Sequence, residues 1–254
     1  MLNYTGVALE SSFILKVKRG ETPFYRVLGR IARALISPSA PRIPNWSRPV
    51  FRALYGFHFL VAGLWHSFCN VCYRQPLFQG RCATYGRGVT VDRLPFVYGH
   101  AEIHVGNYVW IGGRVSITSA RVVDRPVLIL KDYCQVSWNV SIVANKEVII
   151  EEHARVSFDC RISDSDGHPR EADLRAKGDP PRLRDIRPVH IGKHAWIGNG
   201  THIMKGVTIG EGAIIGANSV VINNIPPYCL ALGNPAEVIL RNCGRPVKPF
   251  EEPS

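Results

Sequence analysis

A chain of 254 residues has room for one large domain and an appendage, and its 46% hydrophobic against 20% charged residues exclude a disordered chain. The net charge of +11 calls for anionic partners: nucleic acid, anionic lipid or a phosphate-bearing co-substrate. Seven cysteines, an odd number with no paired CxxC sets, exclude a disulfide framework and suit a reducing compartment.

At the start of the chain, "MLNYTGVALESSFILKVKRG" puts its charges after its apolar residues. A cleavable signal has the reverse order, so the expectation is a cytoplasmic chain. Thr22 can cap a helix that begins at Pro23 and stops at Ser37-Pro38. Arg26, Arg30 and Arg33 share one face of it, and Phe24, Leu28, Ile31 and Leu35 fill the rest. Such a basic amphipathic helix suits a headgroup layer or a dock on the main domain. Residues 53–73 carry no formal charge, and a span needs about 20 apolar residues. His58, His66, Ser67 and Asn70 would each need a polar partner in hydrocarbon, and Gly56 and Gly63 weaken a helix. A helix in the membrane interface, or one covering the open end of the next domain, fits the mixture better. Cys69 and Cys72 fall in this run and read as buried thiols. Residues 1–80 therefore form a basic, partly helical extension. Its residues 1–73 are the candidate for peripheral contact with an anionic membrane on the inner face of the cytoplasmic membrane.

From about residue 81 the chain changes character. Ile191, Ile197, Ile203, Ile209, Ile215 and Val221 recur every sixth residue, with small or β-branched residues two places before each and glycines at 192, 198, 210 and 216. Earlier copies run through Val105, Ile111 and Ile117, through Leu130, Val136 and Ile142, and through Ile150, Val156 and Ile162. A period of six with the aliphatic always inward means a short straight run, a corner, and repetition. Three sides close a coil, and stacked coils pair as parallel strands, which predicts a parallel β-helix over residues 81–240. Phase breaks between copies read as small loops at corners. Spacing alone leaves the handedness open, and the ordinary crossover rule favours a right-handed turn. The beat is lost at "RISDSDGHPR", and residues 164–187 read as an excursion loop rather than a coil. Residues 241–254 form a tail.

Residues 191–239, with "WIGNG", "IGANSVV", "IPPY" and "GNPA" in order, resemble the closing coils of the hexapeptide-repeat acyltransferases. The likeness is to the maltose and galactoside O-acetyltransferases and their polysaccharide-pathway relatives, and it extends back to about residue 85. The resemblance implies a left-handed β-helix, mainly β with an α-helical N-terminal extension. It also implies a homotrimer and acyl-coenzyme A in clefts between subunits. The family's catalytic histidine falls on His168, in "SDSDGHP", as general base near its unperturbed pKa of about 6.5. Asp166 or Asp164 could hold its other ring nitrogen. Transfer would be direct, since no cysteine or serine is placed for a covalent intermediate.

Trp196 matches the family's tryptophan beside the acyl group, and Gly198, Asn199 and Ala217 match coenzyme A contacts. Asn223 and Arg241 stand where the pattern departs from the family, which leaves Lys205 or Arg245 as further candidates for the phosphates. Asn139 could line the acceptor pocket or bond within a coil turn. The leading expectation is an O-acetyltransferase, using acetyl-CoA and no metal, acting on a sugar hydroxyl of a bacterial polysaccharide or of a lipid- or nucleotide-linked precursor. An N-acyltransferase on an amino sugar and a non-catalytic assembly subunit are the alternatives. A zinc enzyme of this fold needs three histidines, and His190 and His194 lack a third at suitable spacing. No nucleic-acid-binding module is recognisable.

Overall fold

The computed structural model describes residues 15–17, 19–36 and 43–243. Arg245 and the side chains of Arg33 and Leu35 lie outside the described residues. The described chain divides into two compact units near Val61. In the first, helix α1 (Pro23–Ile36) starts as its sequence suggests. Thr22 Oγ1 accepts a bond from the Tyr25 N–H at 3.3 Å, and the Thr22 carbonyl accepts from the Arg26 N–H at 3.0 Å. A 3₁₀ turn at Asn45–Ser47 leads into α2 (Arg48–Cys69), a helix of 22 residues that crosses into the second unit. Among the described residues no helix is long and apolar enough to cross a membrane.

In the second unit a π-helical turn (Asn70–Arg74) links α2 to the short helix α3 (Gln75–Arg81). Phe78 of α3 is only 1% exposed, sits in the core cluster and meets the Tyr85 ring edge-on at 6.3 Å between centroids. The part of the extension that enters the core cluster is therefore α3. Compactness places the start of this unit at Ala62, and its first strand follows at Thr84–Tyr85.

The β-helix has three faces, built from parallel sheets of six, eight and six strands. Inward columns follow the six-residue beat. Face one carries Val105, Leu130, Ile150, Ile191 and Ile209; face two carries Val91, Ile111, Val136, Val156, Ile197 and Ile215; face three carries Val97, Ile117, Ile142, Ile162, Ile203 and Val221. Nearly all of these side chains are fully buried, so each coil adds about three large aliphatics to one continuous core. The coil is left-handed, against the ordinary crossover rule. One antiparallel hairpin, Leu230–Gly233 with Ala236–Leu240, ends face two.

The corner between faces one and two turns through left-handed residues Tyr108, Tyr133, His153, His194 and Tyr228, with φ between 54° and 59°. Glycine takes that position at Gly88 and Gly212. A Cβ there would stand 2.5 Å from the ring of Tyr108 and of Tyr228 respectively, so no larger residue fits without moving a ring.

Candidate active site

Strand register shows where the phase breaks fall. From face one to two and from two to three, inward residues are always six apart; from three to one they run Val97 to Val105, Ile117 to Leu130, Ile142 to Ile150 and Ile162 to Ile191. All the insertions thus stack at a single corner. Their polar residues form a ladder along it. Ser119 Oγ accepts from the His100 and Ala101 N–H groups at 2.9 and 3.1 Å; Asn145 Oδ1 accepts from Ala120 N–H; and Asn145 Nδ2 donates to Ser165 Oγ. Asp164, fully buried, accepts from the N–H groups of Asn145, Lys146 and Glu147 at 2.9, 2.6 and 3.0 Å. Burial pushes its carboxyl above the usual range, and those three donors pull it back. Asp164 therefore holds the neighbouring coil and does not touch His168.

The excursion leaves the coil beyond Ser163 and returns at Val189. Within the expected loop lie a helix, α4 (Ala172–Lys177), ended by left-handed Gly178, and a 3₁₀ turn at Leu183–Asp185. Glu171 ties the two limbs together by ion pairs to Arg182 at 3.1 Å and Arg184 at 3.0 Å. Arg175 donates to the carbonyls of Pro169 at 3.2 Å and Arg170 at 2.5 Å, fastening the backbone just after His168. His168 is exposed, and among the described residues its ring has no hydrogen-bond or ion-pair partner. Asp166, the other expected orienter, pairs instead with Lys205 Nζ at 2.5 Å and Arg170 Nε at 3.9 Å. Within one chain neither aspartate orients the imidazole. Lys205 is only 7% exposed and committed to Asp166, so it is not free to bind a phosphate as the sequence had suggested.

Trp196 opens a strand of face two and is 52% exposed, with Nε1 donating to Ser157 Oγ at 3.2 Å. Gly198 lies in the same coil, against the backbone of the next, where an added Cβ would be 2.7 Å from the Ala217 nitrogen. Asn199 accepts a bond from the Asn218 N–H at 2.7 Å. Trp196, Gly198, Asn199 and Ala217 are thereby gathered on two adjacent coils. Asn223 lies beyond face three, at the other corner, and Arg241 follows the terminal hairpin; within one chain neither joins that group. Asn139 takes the turn role: at φ 60° its Nδ2 donates to Asp159 Oδ1 at 2.6 Å.

A cavity of about 410 Å³ beside Trp196 is lined by Tyr108, Tyr133, Gln135, His153, Arg155 and His194, among others. Four of these rings stack in a column: Tyr108 on Tyr133 at 5.0 Å, Tyr133 on His153 at 4.9 Å and His153 on His194 at 4.9 Å, all within 14° of parallel. Coils repeat at about the 4.8 Å strand spacing, so rings at equivalent corner positions must lie face on face. The sequence reading missed this column. Its signal was present, since each ring stands three residues after an inward aliphatic of face one. His190 is likewise engaged, with Nε2 2.9 Å from Glu151 Oε1, and among the described residues no three His, Cys, Asp or Glu side chains are grouped to hold a metal.

Residues 188–223 match the family model described as bacterial transferase hexapeptide, six repeats. Residues 188–223 of the β-helix thus carry the hexapeptide repeat of that family. A Staphylococcus aureus (strain COL) relative carrying an acetyltransferase name is 54% identical over 52 residues, 20% of this chain and 26% of that one. Galactoside O-acetyltransferase of Escherichia coli (strain K12) is 36% identical over 103 residues, 41% of this chain and 48% of the relative. The chain therefore spans about half, or less, of the length of these curated relatives. Among solved structures, a mutant of AntD, an N-acyltransferase from Bacillus cereus, in complex with dTDP and coenzyme A, superposes with a TM-score of 0.53 at 16% identity over 66% of this chain and 88% of that one. That likeness is one of fold.

Proposed function

We propose that the chain is an acetyl-CoA-dependent O-acetyltransferase acting on a sugar hydroxyl of a polysaccharide or of its lipid- or nucleotide-linked precursor. The observation that carries this reading is His168: an exposed imidazole without a partner among the described residues, on a loop fastened at both limbs, in a hexapeptide-repeat domain. In the reaction the hydroxyl proton passes to the imidazole as its oxygen bonds to the thioester carbon. Collapse of the tetrahedral adduct breaks the carbon–sulfur bond, and the departing thiolate takes the proton back from the imidazolium. The products are an acetyl ester and coenzyme A. Burial pushes the Cys160 thiol up to about 11 and those of Cys82 and Cys134 up to about 12, which disfavours these three as acyl carriers.

Trp196, Asn199 and Ala217, on adjacent coils of face two and the corner after it, are the residues to meet the coenzyme. His168 rises from the corner between faces three and one. A homotrimer that sets this corner of one chain against face two of the next would complete the site, with coenzyme A at the seam and the saccharide between. Peripheral attachment to the inner face of the cytoplasmic membrane fits the same reading, since a lipid-linked acceptor is held at that surface. The decisive assay is transfer of labelled acetyl from acetyl-CoA to a panel of saccharides and amino sugars. His168→Ala is expected to lower turnover by about 100-fold to 10,000-fold while leaving calorimetric binding of coenzyme A intact. Full turnover in that variant would remove His168 from the mechanism, and no heat of coenzyme A binding to the unaltered chain would leave a non-catalytic coil.

A further inference from the structure

Between Glu21 and Asp92 the chain has nine arginines and no acid, so nine of its net +11 charges lie in this stretch. Within the same stretch α2 has no buried side chain: Phe51, Leu54, Phe57, Leu60, Leu64 and Trp65 are each between 48% and 66% exposed. At 100° per residue these six fall on one half of the helix, and Arg48, Arg52, His66 and Ser67 fall on the other. An apolar face of this extent left exposed on a helix marks an interaction site. In α1, exposed Phe24, Val27 and Ile31 are likewise interspersed with Arg26 and Arg30.

The charge decides what the cover is. A second copy of the chain would bring a second set of nine arginines against the first. Nucleic acid would satisfy the arginines and leave the aromatic and aliphatic side chains in water. An anionic bilayer surface supplies phosphate for the guanidinium groups and hydrocarbon for the rings. A full span is disfavoured by His58, His66 and Ser67 and by the hydropathy of α2. The last turn of α2 is also tied to the first coil: His66 Nε2 lies 3.0 Å from the Asp92 carbonyl oxygen, and Arg74 Nη1 donates to the same oxygen at 3.2 Å.

We propose that α2, with Arg48 and Arg52 at its start, lies in the headgroup layer of an anionic phospholipid bilayer and makes the chain a peripheral membrane protein. The proposal is independent of the chemistry at His168. It is tested by co-sedimentation of the full chain with vesicles of phosphatidylcholine, alone and mixed with phosphatidylglycerol. Binding is expected on the mixed vesicles, weakened by salt, and about 25-fold weaker for the Arg48→Gln/Arg52→Gln chain, from about fivefold per arginine. Leu60→Asp/Leu64→Asp is expected to abolish it at an unchanged circular dichroism spectrum, and brominated lipid should quench tryptophan emission less in Trp65→Phe. Equal binding to both vesicle types, or none to either, overturns the proposal. So does a Leu60→Asp/Leu64→Asp chain that still binds vesicles but changes its mass by light scattering, since α2 would then be a contact between copies.

Discussion

At the scale of the residue, the excursion shows how a side chain of one sign can hold the loop that carries the proposed base, His168, without touching it. Lys205 stands on an inner coil position, nearly buried, and its ammonium reaches out to Asp166, two places before His168. A buried ammonium without its partner would be costly, so the pair is under strong pressure to stay closed. Through it the loop is fastened to the coil at Asp166, while Arg175 fastens it again after His168. Displacements of about 1 Å from a reactive geometry cost about 100-fold. Lys205→Met is therefore expected to lower kcat by about tenfold to 100-fold with the KM for acetyl-CoA unchanged, and Lys205→Arg to recover part of the loss. An unchanged kcat in the methionine variant would show that the ion pair does not position the loop.

At the scale of the element, the corners decide what each coil can carry. Where the inward residues are six apart there is room only for a tight turn, and the left-handed residues 108, 133, 153 and 194 bring their rings into register. Where extra residues enter, their polar groups must find partners among the neighbouring insertions, as Asn145, Asp164 and Ser165 do. Coil is also joined to coil by charge. Glu151 accepts from Lys131 Nζ at 2.7 Å and His190 Nε2 at 2.9 Å. Desolvation works to raise its carboxyl, yet the bonds from Lys131 and His190 hold it below its ordinary value of 4.5. A depressed carboxyl contributes stability that is complete above its unfolded value and is lost as pH falls through the folded one. Lys131 is partly exposed, which screens the pair to about 1 kcal/mol. Glu151→Gln should thus lower the melting temperature at pH 7, with the gap to the unaltered chain closing as pH drops below 4.5; a gap that persists in acid would assign the effect to packing.

At the scale of the whole molecule, a single chain on the proposed reading holds the parts of a site without closing it. His168 rises at the corner between faces three and one, and Trp196 opens face two. Chains that complete one another across a seam give a specific expectation. His168→Ala and Trp196→Ala chains, each weakened as a pure assembly, should regain activity when refolded together, because some seams then pair an intact histidine with an intact tryptophan. Up to about one-quarter of the unaltered turnover is expected if each seam draws its two chains at random and acts alone. No recovery in mixtures shown by mass to be hetero-oligomers would place the whole site within one chain.

The six-residue beat, and with it the inward column of each face, was legible from the chain alone. It is a local property: each aliphatic must point inward whichever coil lies above it. The excursion was legible for the same reason, since a run such as "SDSDGHP" breaks the beat wherever it occurs. What lies between coils was not. The stacking of every insertion at one corner and the capture of Lys205 by Asp166 each depend on which residues come opposite after insertions of unequal length. That alignment is set by parallel strand pairing over separations of about 20 to 40 residues. Only the folded coil decides it, because the hydrogen bonds that fix the register do not exist until the coils are stacked.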